Sequence, residues 1–344
     1  MRRVLFLFAV CSLALQSRTA KAASCLTESQ MTPQQRDVLA NQARAMIAIV
    51  QSADTAGLRA RTLPAVASDF DGIAASMTSL SPLVQNATIT VDNVYGLDAS
   101  TDQPGAARTQ FFCGSPTVVL TFNGIPPGRY ALVIVHATGI SKPQQISIIL
   151  ANASGNQWQL AGFYAKPMIE ADHDGLWYWV SARKYAQMKM NWDAWFYYQM
   201  ASDLLRPVDF MASPNLQKLQ QESETVHPGN LPGAAPVSLN AQGSAVTVTA
   251  INTTTAFGGL DLDLHYTPDP AQVAQLRSPT AARKQVTDVM TALLTQHPEL
   301  KQAFHGIWAH AEQGNSDLFA LELPMDQIAP GVQSQATATN PAIR

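Results

Sequence analysis

The residues able to do chemistry are few in this chain, and most of them are scattered. Seven histidines, three cysteines and 25 acidic residues contain only two groupings dense enough to weigh. Asp261, Asp263 and His265 alternate with Leu260, Leu262 and Leu264. Successive side chains of a strand point to opposite faces, so the polar three share one face and the leucines the other. Such a face offers carboxylate and imidazole ligands to a divalent cation. It also serves as the wet side of a half-buried strand, where aspartate discourages edge pairing, and this is the expected reading. Glu170, Asp172, His173 and Asp174 form the second grouping. They lack a metal-ligand spacing and precede a helix, so a helix cap at Asp174 or Gly175 accounts for them.

The remaining candidates stand alone. His136, in the apolar run 132–138, is the one polar side chain expected to line a pocket. His305 and His310 fall in residues 298–312, which read as a helix carrying Leu300, Phe304, Ile307 and Trp308. Five apart on a helix, the two histidines do not share a ligand-spaced face. The H-E-x-x-H, G-x-S-x-G, phosphate-loop and glycine-fingerprint patterns are all absent. No catalytic residue, metal site or cofactor is expected.

The chain begins with Arg2 and Arg3, an apolar stretch over 4–15, and Ala20-Lys21-Ala22, the pattern of a secretory leader spanning 1–22. Its apolar run is too short for a membrane span, and no later stretch approaches 18 apolar residues. Loss of Arg2, Arg3, Arg18 and Lys21 with the leader takes the formal charge from −3 to −7. An acidic chain without a basic cluster argues against nucleic acid as a partner. Cys25 and Cys113 would remain as an even pair in an oxidising compartment, where a disulfide is expected. The alternative is a lipid anchor on Cys25, which Ala22, Ala23 and Ser24 precede without the usual branched aliphatic residue.

The elements come in a telling order. Thr32, Pro33 and Gln35 form a capping box ahead of Leu39, Ala43, Met46, Ile47 and Val50 on one helical face. Asp54 suits the cap of a short second helix, and Pro64 opens a third through Val66, Phe70, Ile73 and Met77. After Pro82 the pattern turns to strands over 87–94, 117–122, 129–138, 144–151 and 157–164, with a tight turn at Gly155 and Asn156. Helices followed by an antiparallel sheet imply an α+β layer. Residues 26–167 thereby resemble the cystatin-like and NTF2-like domains, in which a curved sheet wraps an amino-terminal helix. That likeness implies docking on the sheet or a cavity inside it, and carries over no catalytic motif.

Residues 176–207 are the most aromatic stretch. Tyr178, Ala182 and Tyr185 share one helical face, and Ala194, Tyr198 and Ala201 repeat the spacing before Pro207. This pattern resembles a tetratricopeptide repeat, with Ser181 in place of its usual leucine and Pro207 one residue late. The likeness covers a single repeat, which cannot bury its own faces. A helical hairpin over 172–222 is therefore expected, with a helix at 215–224 as its cap. Residues 223–243 read as a mobile linker, 244–328 as a second small α+β domain, and 329–344 as a disordered tail.

The function these readings imply is non-enzymatic. A secreted or periplasmic scaffold would dock another envelope or secreted protein through an exposed face of Trp177, Trp179, Trp192 and Trp195. The alternative is a small-molecule binder, or a weak isomerase or hydrolase, using the amino-terminal domain's cavity around His136.

Overall fold

The computed structural model describes residues 23–153, 157–233, 235–314 and 316–328. The leader at 1–22, the turn at Gly155 and Asn156 and the tail at 329–344 lie outside the described residues. The architecture is α+β.

The amino-terminal unit is built on a sheet in the order β1 (Ser24–Leu26), β2 (Thr88–Asp98), β5 (Arg129–Thr138), β6 (Gln144–Ala153), β7 (Gln157–Pro167), antiparallel throughout. One face carries α1 (Pro33–Gln51) and α4 (Asp71–Val84). The capping box that starts α1 forms as its sequence dictates: Gln35 donates its backbone N–H to the Thr32 hydroxyl, and Thr32 N–H donates to the Gln35 side chain at 2.9 Å. Leu39, Ala43, Met46, Ile47 and Val50 then bury against Ala131, Val133, Val135 and Ala137 of β5. Asp54 caps α2 (Thr55–Ala60), accepting from Gly57 N–H at 2.8 Å. The expected third helix is two, α3 (Pro64–Ala67) and α4, and α4 runs through Pro82 rather than ending before it.

The sheet's other face is covered as well. β3 (Arg108–Cys113), β4 (Val118–Asn123) and β10 (Met211–Ala212) form a three-stranded sheet whose Phe111, Leu120 and Met211 pack on Leu132, Ile134 and Ile149. Burial on both faces explains why β6 reads as a nearly continuous apolar run. A disulfide joins Cys25 of β1 to Cys113 of β3, linking the two sheets. It engages the sulfur that a lipid anchor on Cys25 would need.

The remainder of the chain shares one core. A two-residue turn at Ala171 and Asp172, both with positive φ, joins β8 (Ile169–Glu170) to β9 (His173–Asp174). Asp174 then caps α5 (Gly175–Gln187), accepting from Trp177 N–H at 2.8 Å. Glu170 and Asp174 are thus used structurally: the Glu170 carbonyl accepts from Tyr178 Oη at 2.9 Å, and His173 stacks on Trp177 at 3.5 Å.

α5 and α6 (Asn191–Leu205) pair as a hairpin, with Tyr178, Ala182, Tyr185, Ala194, Tyr198 and Ala201 buried. α7 (Pro214–Glu224) closes it. Glu222 accepts from Trp179 Nε1 at 2.7 Å and from Arg183 at 2.7 and 2.9 Å, while the Arg183 guanidinium lies 4.4 Å from the Trp179 ring centre. Glu222→Ala removes the shared acceptor and is expected to cost about 1–3 kcal/mol, read as a lower urea midpoint.

The hairpin is no separate module. Tyr197 Oη donates to the Ala303 carbonyl at 2.6 Å, and Phe196 and Tyr197 pack edge-on against Phe304. The expected linker contains a strand, β11 (Val237–Ala241), with Val226, Leu239 and Ala241 buried in this core. Alternation of Leu239 and Ala241 with polar residues carries the strand; the Pro and Gly turns beside it mask that signal.

The carboxy-terminal sheet has the order β11, β12 (Ser244–Thr254), β13 (Asp261–Thr267), β14 (Gly306–Gln313), β15 (Ser316–Pro324), followed by α10 (Met325–Ile328). β13 and β14 are parallel, because α8 (Pro279–Gln296) and α9 (Leu300–Ala303) make the crossover between them. Val286, Val289, Met290 and Leu293 of α8 bury one sheet face, formed by Leu262, Leu264, Ile307, Ala309 and Ala311. Residues 298–312 are therefore a short helix and then a strand, not one helix. The helical spacing of Leu300, Phe304, Ile307 and Trp308 hides the alternation that starts at Gly306.

Candidate metal centre

Replacing that helix by a strand brings distant residues together. The parallel register sets His310 beside His265 and Trp308 beside Asp263. Since Ile307, Ala309 and Ala311 face the helices, Trp308, His310 and Glu312 share the face of Asp261, Asp263 and His265.

The two imidazoles stack, 4.6 Å between centres and 8° from parallel. Each is held by a carboxylate on Nδ1: His265 by Glu312 at 2.7 Å, His310 by Asp317 at 3.2 Å. A carboxylate accepts, so each Nδ1 is the donor in its pair, and in the neutral imidazole this leaves the lone pair on Nε2. Both Nε2 atoms face one oxygen, Asp263 Oδ1, at 3.1 and 3.3 Å. Asp263 Oδ1 and His310 Nε2 are buried and have no hydrogen-bond partner, and the ligand atoms of Asp263, His265 and His310 lie within 4.8 Å of one another.

Asp263, His265 and His310 could supply three donors to one divalent ion. The Glu312–His265 and Asp317–His310 pairs supply the outer carboxylates that orient metal-binding imidazoles. Burial lowers the His265 pKa, but the Glu312 hydrogen bond and the Asp263 charge outweigh it and leave it raised above the ordinary histidine value. Trp308 lies 4.1 Å from His310 and packs on Phe257, forming an aromatic flank.

A second group sits beside it. Asp261, fully buried, accepts from His305 Nδ1 at 2.9 Å. Burial raises its pKa despite that bond, and burial and the Asp261 charge raise that of Glu322.

The residues singled out by sequence fall elsewhere. Trp179 and Trp192 are buried, at 9% and 5% exposure, and Trp177 and Trp195 are half-buried against the same core. The four tryptophans do not form an exposed face. The exposed large apolar residues here are instead Leu176 and Val180 of α5 and Met188 just after it. His136 lies on the β5 face turned away from α1 and α4, 3.4 Å from Gln145 Oε1 and 3.9 Å from Asp92. Aliphatic and aromatic side chains pack between those helices and the sheet, and His136 is not among them.

Comparison of the chain with protein-family models, curated proteins and solved structures finds no match. Among the described residues, no helix is long and apolar enough to cross a membrane.

Proposed function

We propose that this chain is a secreted or periplasmic binding protein whose carboxy-terminal unit holds a divalent transition-metal ion on Asp263, His265 and His310. The observation that carries the reading is the convergence of two outer-carboxylate-held imidazoles on one buried carboxylate oxygen. Two imidazoles and one carboxylate favour zinc, nickel, cobalt or copper over magnesium or calcium. Three protein ligands leave a coordination position open.

The Cys25–Cys113 disulfide supports an oxidising compartment, as does the leader-like start of the sequence. α1 laid across an antiparallel sheet supports the cystatin-like or NTF2-like reading of the amino-terminal unit. The Tyr/Ala spacing in α5 and α6 supports the tetratricopeptide-like one. Docking of another envelope protein on the hairpin would have to use Leu176, Val180 and Met188 rather than the tryptophans.

Calorimetric titration of zinc(II) into the metal-free chain tests the proposal. Binding is expected, weakened at least about 100-fold by His310→Ala, and about 10–100-fold by Glu312→Gln through loss of the outer carboxylate. Absence of binding by the folded wild-type chain would sink it.

A further inference from the structure

Two residues before Asp263 along β13, the same sheet face carries a group that shares no side chain with the first centre. His305 is pinned between elements: its backbone N–H donates to the Leu260 carbonyl and its carbonyl accepts from Met325 N–H, both at 2.8 Å. Its imidazole thereby meets Asp261 at the mouth of β13, with Glu322 of β15 alongside. The ligand atoms of Asp261, His305 and Glu322 lie within 4.8 Å of one another.

Two further observations point to a cation. Asp261 is fully buried and its Oδ2 has no hydrogen-bond partner; Glu322 Oε1 is likewise buried and unpartnered. Two carboxylates so placed do not both stay ionised unless a cation lies between them. Gly306 makes room for the pair. A Cβ at that position would lie 2.8 Å from Asp261 Oδ1 and 2.9 Å from Glu322 Oε1, so any larger residue would push the carboxylates apart.

We propose that Asp261, His305 and Glu322 form a second divalent-cation site, distinct from the one on Asp263, His265 and His310. The two groups share no ligand residue. The donor sets also differ in chemistry. One imidazole with two carboxylates is the harder set and should hold manganese(II) more strongly, relative to zinc(II), than two imidazoles with one carboxylate.

Equilibrium dialysis of the full chain against zinc(II) or manganese(II), with bound metal counted and folding checked by circular dichroism, tests the inference. The wild-type chain is expected to hold two equivalents of zinc. His305→Ala and Glu322→Gln should each leave one, and His265→Ala should leave the other one. Bound manganese should fall more in His305→Ala and Glu322→Gln than in His265→Ala. A single zinc equivalent, insensitive to His305→Ala and Glu322→Gln but lost in His265→Ala, would overturn the second site and leave the first standing. A single equivalent with the reverse sensitivity would uphold the second site and remove the first. No bound metal in the folded wild type would overturn both.

Discussion

Asp193→Asn should abolish a loss of stability that the wild-type chain suffers as pH rises from about 4 to about 8. Asp193 sits in the first turn of α6, fully buried, and neither carboxylate oxygen has a hydrogen-bond partner. Burial first, and the Glu299 charge second, push its pKa up to about 8. Tyr185 and Tyr197 face it within the hairpin core, and neighbouring Trp192 packs on His297, 4.1 Å between ring centres. None of these supplies a cation at neutral pH.

The sign follows from linkage. A carboxyl whose folded pKa exceeds its unfolded value stabilises the fold below the unfolded pKa, and that contribution disappears as pH climbs through the folded one. At about 1.4 kcal/mol per pH unit, the window spans on the order of 4–5 kcal/mol. That is a large part of the total stability of an ordinary domain. Burial and Glu299 lower and raise His297 in turn, with a net lowering, so His297 pulls the other way only below its unfolded pKa. Urea midpoints of both proteins between pH 4 and 9 isolate Asp193, because the asparagine variant keeps the His297 contribution. Parallel curves for the two proteins would refute the account of this residue; a fixed offset would measure only the pH-independent cost of burying an amide.

Reduction of the Cys25–Cys113 disulfide has the second large effect. The bridge joins residues 88 apart in sequence, and on the chain-entropy treatment a loop of that length contributes about 4–5 kcal/mol. The loss falls on the amino-terminal unit, since β1 sits at its sheet edge and β3 belongs to the sheet covering it. Denaturant unfolding with and without reductant, with the thiols counted by mass, gives the value. Cys25→Ser with Cys113→Ser should match the reduced protein. An unchanged midpoint in the fully reduced protein would contradict the expected contribution.

Much of the local structure is legible in residue order, and the candidate centre is not. Thr32 and Gln35 mark the start of α1 because a capping box is a contact within four residues. The alternating tyrosines and alanines of α5 and α6 mark a hairpin for the same local reason. Trp177, Trp179, Trp192 and Trp195 show that a large aromatic face exists, but apolar patterning is blind to what covers it. Here the cover is α7 and the α8–α9 crossover, through contacts such as Trp179 with Glu222 and Trp192 with His297.

The centre depends on a longer step still. Asp263 and His265 advertise one face of a strand, yet their partner His310 comes 45 residues after His265 in the sequence. It reaches them only because the α8–α9 crossover makes β14 parallel to β13 in one particular register. A helix-like run from Leu300 to Trp308 conceals β14. The signal that reveals it is Gly306 followed by strict alternation: Ile307, Ala309 and Ala311 on one side, and Trp308, His310 and Glu312 on the other.

The most direct test of the account is a nitrogen-15 spectrum of the histidine side chains, recorded with and without one equivalent of zinc(II). The structure predicts that Nδ1 of both His265 and His310 is protonated, against Glu312 and Asp317, before metal is added. Zinc should then shift Nε2 of both while Nδ1 stays protonated against Glu312 and Asp317. Zinc that leaves both rings unmoved, or that binds them through Nδ1, would contradict the centre on Asp263, His265 and His310.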